Sequence, residues 1–161
     1  MFSQRHNISP ILAKLLNIRN INNEEIEQFL NPKIKDNLPD PFDLKDMKKA
    51  VDKTIDIIIN KKKIGIIADY DVDGSTSLAI LAKFFKSINQ NFIYKIPNRL
   101  KDGYGPNTKI LDDFLNDKID LLFTLDCGTN SFGILDDKKY KIFDTIVIDH
   151  HISDYKLPEV Y

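Results

Sequence analysis

The stretch IIADYDVDGSTS, residues 66–77, leaves an apolar run and then places aspartates at alternate positions, Asp69, Asp71 and Asp73. Carboxylates so close together repel one another unless a cation sits among them. The apolar run reads as a buried strand and GSTS as the entry to a helix. Gly74 permits a tight turn, and Ser75 or Thr76 is a suitable N-cap. Such a helix start offers free N–H groups to an anion such as phosphate, which makes Ser75 a candidate substrate contact as well as a candidate cap. DYDVDG also matches the opening of an EF-hand calcium loop. That loop needs a bidentate glutamate at its twelfth position, which counted from Asp69 is Ile80. The segment before it is also strand-like, so the EF-hand reading fails.

The same rhythm repeats outward from this stretch. Apolar runs at 64–69, 92–97, 119–126 and 144–149 alternate with helical patterns at 75–89 and 106–117 and a shorter one near 131–140. Strands that are apolar almost throughout, separated by helices, predict an α/β fold with a parallel sheet flanked by helices. Residues 1–62 read as a helical N-terminal segment, which sets the domain boundary at 62/63. Within it, SPILAKLLNIRN (9–20) offers Ser9 as N-cap, Pro10 at the first helical position and a stripe of Ile11, Leu12, Leu15 and Leu16. Asn22 with Glu25 forms a capping arrangement, and the proline-bearing 31–44 reads as a loop. A third helix runs from about Asp46 to Asn60, with Met47, Ala50, Val51, Ile55 and Ile58 on one face.

Composition narrows the classes. The 161 residues are 42% hydrophobic and 29% charged, ordinary for a globular chain, and the net charge of −1 gives no global attraction to nucleic acid or anionic membrane. No apolar stretch approaches the roughly 20 residues that span a bilayer, and the start MFSQRHNISP lacks the apolar core of a secretory signal. The single cysteine, Cys127, excludes a disulfide framework and an all-cysteine metal site. The expectation is a cytoplasmic protein with no membrane partner.

In open α/β sheets, ligands bind beyond the C-terminal ends of the strands. The first strand ends in Asp69, Asp71 and Asp73, the third in Asp126, and the fourth in Asp149, His150 and His151. A lone strand-end aspartate is ordinarily a cap or turn former; seven acidic or histidine residues at three strand ends form a constellation. Parallel strands would bring them to one edge, as a thiolate-free cluster suited to manganese or magnesium, with zinc as an alternative. Asp71 and Asp126 are then expected within about 10 Å of each other, the reach of a shared two-metal site. After the second strand, NRLKDGYGPN (98–107) offers Arg99 as a phosphate clamp and a loop in which Gly103 and Gly105 flank Tyr104. In DCGTNS (126–131), Gly128 lets backbone amides face the site, and Cys127 reads as a buried structural thiol.

With DYDVDG, DCG and DHH in that order, the chain resembles the DHH phosphoesterase superfamily. More closely, it is similar to the N-terminal part of RecJ-type single-strand-specific 5′→3′ exonucleases, whose segments SPILAKLLNIRN, FLNP, DPFDLKDMKKAV and IPNR…GYG resemble. The resemblance implies a two-metal centre, usually manganese or magnesium. It implies Asp71 and Asp73 as ligands, Asp69 as ligand or neighbour, Asp126 bridging the metals and His150 as a further ligand. His151 would contact the phosphate or leaving group, Asp149 would orient the histidines, and Arg99 with the 103–105 loop would lie near the nucleotide path. It also implies a further aspartate ligand downstream and a separate substrate-binding domain. Residues 63–161 are therefore expected to be a DHH phosphoesterase domain incomplete at its C-terminal end, with little nuclease activity alone. Implied partners are single-stranded DNA and other repair and recombination proteins. Two alternatives remain: a small-molecule or nanoRNA phosphoesterase of the same superfamily, and a non-catalytic truncated remnant.

Overall fold

The computed structural model describes residues 2–153 and 156–160. The chain divides into two units, Met1–Leu44 and Lys45–Tyr161.

The first unit is helical: α1 (Phe2–Arg5), α2 (Pro10–Ile18), α3 (Ile26–Leu30), α4 (Ile34–Asn37) and one 3-10 turn (Pro41–Asp43). Ser9 caps α2 as expected, its Oγ accepting the Leu12 N–H at 3.2 Å. The Glu25 carboxylate accepts the Asn22 N–H at 3.0 Å, half of a capping box. Two expectations are corrected. Ala13 and Leu16 are buried while Ile11 and Leu15 are 75% and 45% exposed. The columns 11/15 and 12/16 lie about 100° apart on a helix, so one narrow contact covers only one of them. The proline-bearing stretch also holds α4 and the 3-10 turn, where a plain loop was expected.

The second unit begins with α5 (Met47–Ile59) and continues β1 (Ile64–Ala68), α6 (Val72–Ser87), β2 (Phe92–Lys95), α7 (Thr108–Asn116), β3 (Leu121–Leu125), α8 (Phe132–Leu135) and β4 (Asp144–Ile148). All pairings are parallel, in the order β2-β1-β3-β4, which is the expected α/β architecture. Side chains alternate across the strands and build two cores. On one face Ile64, Ile66 and Phe123 pack with Ile57 of α5 and Leu78 and Phe85 of α6. On the other, Ile67 and Leu122 pack with Ile110, Leu111 and Phe114 of α7 and Leu135 of α8. Phe85 and Phe114 are wholly buried, each contributing about 2–3 kcal/mol of transfer free energy. The sequence boundary at 62/63 left α5 with the N-terminal segment, yet Ile57 belongs to the sheet core, with Ala50 and Ile58 packed against it. Ile55, expected on that face, stays exposed. Among the described residues, no helix is long and apolar enough to cross a membrane.

Helix α6 starts at Val72, earlier than expected, because Asp71 is its N-cap: Asp71 Oδ1 accepts the Gly74 N–H at 3.1 Å. This start presses Gly74 onto the strand end, where a Cβ would stand 2.3 Å from the Asp69 carbonyl oxygen. Gly74→Ala is therefore expected to destabilise the chain by about 2–3 kcal/mol, the scale of overpacking a closed site. Gly133 in α8 has open space around its Cβ position, so Gly133→Ala should be neutral or stabilise by about 0.5–1 kcal/mol. Urea unfolding midpoints of the two variants check both outcomes.

Candidate metal centre

Ala68, Leu125 and Ile148 share one row of the sheet. The next residue on each strand is an aspartate, so Asp69, Asp126 and Asp149 leave the C-terminal edge side by side. The ladder continues one step beyond the strands: the Asp69 N–H donates to the Leu125 carbonyl at 3.1 Å, and the Asp126 N–H to the Ile148 carbonyl at 2.8 Å. Asp71 follows from the α6 cap, and His150 and His151 from the end of β4.

One carboxylate oxygen from each of Asp69, Asp71 and Asp126 lies within 4.8 Å of the others, and Asp126, His150 and His151 form a second such group. Asp126 belongs to both. Asp69 and Asp126 are 4% and 6% exposed, and among the described residues neither Oδ1, both buried, has a hydrogen-bond partner. His150 Nε2 stands 3.2 Å from Asp126 Oδ1, without hydrogen-bonding geometry. An orphaned buried acceptor costs about 1–3 kcal/mol, and more when charged. Burial and the neighbouring Asp71 carboxylate push Asp126 above the usual carboxylate range, while the Gly74 N–H holds Asp71 below it. The Asp126 backbone is left-handed, with φ 58°, a conformation that aspartate tolerates better than most side chains. Hard oxygens with vacant lone pairs and two imidazoles fit divalent manganese, and the carboxylates alone fit magnesium.

Asp149 organises the histidine side. Its side chain is 1% exposed. Oδ1 accepts the N–H groups of His150 at 2.8 Å and His151 at 3.2 Å and contacts the His151 ring Nδ1 at 2.7 Å; Oδ2 accepts the Thr129 N–H at 3.0 Å. Burial pushes Asp149 up, but these hydrogen bonds outweigh it and hold the carboxyl at about 2. The same bond to Asp149 raises His151 above its ordinary value. The Thr129 amide arrives through Gly128, whose φ is +115°; a Cβ there would also stand 2.6 Å from Thr124 Oγ1. Tyr104 closes the network, its hydroxyl lying 3.0 Å from the Asp126 carbonyl oxygen and 3.1 Å from His151 Nδ1.

Other candidates lie apart. Asp73 is exposed in the first turn of α6 and joins neither group, because the two-residue alternation ends where the helix begins. Ser75 is exposed inside α6, and the Thr76 hydroxyl donates to the Val72 carbonyl at 2.7 Å, so neither caps the helix. The Arg99 guanidinium sits over the Tyr70 ring, 5.5 Å from its centroid, beside the Asp69–Asp71 turn. Gly103 and Gly105 both have positive φ; Gly103 is open, and a Cβ on Gly105 would lie 3.6 Å from Cys127 Cβ. Cys127 is fully buried, burial pushes its thiol up, and it joins neither group of potential ligands among the described residues. Sequence reasoning missed the Thr129 amide and the Asp71 cap. Asp71 was legible, since aspartate caps as well as serine; the Thr129 amide was not, since a backbone N–H carries no side-chain signal.

The DHH family, N-terminal domain, matches residues 63–161. Single-stranded-DNA-specific exonuclease RecJ of Bacillus subtilis is 33% identical over 159 residues, 98% of this chain and 20% of that protein. The protein of the same name in Haemophilus influenzae is 29% identical over 151 residues, 92% of this chain and 25% of its own length. The chain thus spans about a fifth to a quarter of these relatives. A crystal structure of exonuclease RecJ bound to manganese superimposes with a TM-score of 0.68 at 30% identity, covering 76% of this chain and 31% of that one. RecJ from Thermus thermophilus in complex with Mn2+ shares the fold, with a TM-score of 0.65 at 24% identity over 83% of this chain and 18% of that one. The shared sheet and the family match over residues 63–161 place the chain in the DHH family, as a bearer of that family's N-terminal domain.

Proposed function

We propose that this chain carries the metal centre of a manganese- or magnesium-dependent exonuclease that hydrolyses phosphodiester bonds in single-stranded DNA from the 5′ end. One observation carries the reading: two groups of potential ligands meet at a single buried carboxylate, Asp126. Asp69, Asp71 and Asp126 would hold one cation, and Asp126 with His150 the other; Asp73 is the further candidate on the α6 side. Two such cations, when bound, supply Lewis-acid activation of water and neutralise charge on the phosphodiester. The chain's own groups do the rest. Asp149 orients both histidines, and His151, cationic when protonated, stands where a phosphate or leaving oxygen can take its hydrogen bond. Arg99, over the Tyr70 ring, offers a guanidinium beside the acidic edge, a group suited to phosphate. Ser75, Gly103 and Tyr104 are the exposed candidates for substrate contact, and Gly105 and Gly128, both buried, would shape the backbone behind them. Repair and recombination proteins are proposed as partners and the cytoplasm as the compartment, on the strength of the relatives' exonuclease names.

About millimolar manganese should raise the melting temperature of the chain by several degrees, since a ligand held only by the folded state stabilises it. Asp71→Ala combined with Asp126→Ala should abolish the shift; equal shifts in both proteins would place the cation elsewhere. The shift should also depend on pH. Burial and Asp71 raise the proton affinity of Asp126, and a proton there competes with the cation. Manganese stabilisation is therefore expected to shrink as pH is lowered from neutral. A shift that grows on acidification would contradict this assignment.

Activity is best tested in a chimera in which this chain replaces the matching segment of the Bacillus subtilis relative, of which it covers 20%. Nucleotide release from 5′-labelled single-stranded DNA should require manganese and fall at least about a hundredfold in Asp126→Asn. Release that survives that substitution, or runs equally on duplex DNA, would sink the proposal.

A further inference from the structure

We propose that Tyr104 is a positioning residue whose single hydroxyl fixes both the Asp126 turn and the Nδ1–H form of His151. The inference follows from counting protons. A tyrosine hydroxyl has one hydrogen to donate. The Asp126 carbonyl oxygen, 3.0 Å from Tyr104 Oη, can only accept, so that hydrogen is committed there. Toward His151 Nδ1, 3.1 Å away, Tyr104 then presents a lone pair. Asp149 Oδ1, 2.7 Å from the same nitrogen, is also an acceptor. Both neighbours of Nδ1 demand a proton on it. In the neutral ring Nε2 is therefore bare, and its lone pair is available to a cation or to a proton from water.

Asp149 and Tyr104 divide this labour. Asp149 reaches His151 from its own β4 terminus, two residues away, and could follow any drift of that terminus. Tyr104 reaches it from the 98–107 loop and is bonded at the same atom to the turn after β3. It thus ties the histidine to the carboxylate that both ligand groups share. The rings of Tyr104 and His151 meet edge to face at 5.7 Å, which limits rotation of the imidazole. The bond to the Asp126 carbonyl also braces the left-handed turn there. The Tyr104 hydroxyl hydrogen is thus engaged by the site itself, while its ring face and second lone pair stay available for the proposed substrate contact.

The use of this arrangement for metal rests on the proposed function, but the arrangement itself does not, and the experiment separates them. Metal-free chain labelled with nitrogen-15 is studied by long-range proton–nitrogen NMR at a pH where the His151 ring is neutral. Wild type should show the proton of His151 on Nδ1 and slow to exchange. A proton on Nε2 overturns the proposal without any variant. Tyr104→Phe keeps the ring and removes the hydroxyl. It should broaden the Nδ1–H resonance through solvent exchange and shift the Cys127 amide nitrogen, which shares a peptide with the Asp126 carbonyl. A variant whose two signals match wild type overturns the proposal. Manganese affinity, read by titration, should fall about tenfold in Tyr104→Phe, the scale of losing an outer hydrogen bond to a ligand. Failure of both proteins to bind manganese would overturn the metal reading alone and leave the His151 spectra to decide Tyr104.

Discussion

Parallel pairing of β1 with β3 and β3 with β4 sets Ala68, Leu125 and Ile148 in one row, and each is followed by an aspartate. The rest of the site hangs on that row. A slip of one residue in any strand would carry its aspartate to the opposite face of the sheet and the apolar residues before it out of their cores. The strands are apolar on both faces, so burial on two sides holds the register. Ile66 and Phe123 serve one core and Ile67 and Leu122 the other. The hydrophobic effect, non-directional in itself, thus aligns carboxylates with a precision that their own repulsion opposes.

That opposition is visible in the groups themselves. Asp69 and Asp126 each bury an oxygen that nothing in the described structure satisfies, and Asp126 sits on a left-handed backbone. Asp149, equally buried, is saturated by hydrogen bonds and held at about 2. Three aspartates in one row therefore have different duties: two keep lone pairs vacant, and the third spends its own on orienting neighbours. Buried carboxylate oxygens left without a hydrogen bond at one edge of a well-packed sheet lower its stability, a cost that a bound cation would offset.

Much of this was readable in the sequence. Apolar runs alternating with helical patterns led to the parallel sheet, and the residues ending those runs led to the acidic edge. The errors share a cause, which is that tertiary contact selects among locally equivalent options. Ser75, Thr76 and Asp71 are all good caps, and the close approach of Gly74 to the Asp69 backbone selects Asp71. Two columns of α2 are equally apolar, and packing takes the one with Leu16. Helix α5 looked like its helical predecessors until Ile57 was seen in the sheet core. The roles of Tyr104 and Thr129 lay beyond sequence because each depends on a partner on another strand's loop. Much of the Thr129 contribution is a backbone amide, which any residue except proline could supply, and its side chain adds to the hold on Asp149.

The row of aspartates also has a consequence in time. Its members lie dozens of residues apart along the chain, just past the ends of β1, β3 and β4. No local segment can assemble the whole centre, so closing long parallel crossovers must precede its completion. During synthesis from the N-terminus, β1 emerges with Asp69 and Asp71 already adjacent but without Asp126 and the histidines. The emerging chain would hold an incomplete and weak ligand set until β4 docks. The order of strands in the sheet thereby acts as a timer, delaying the metal site until the scaffold that aligns it has been built.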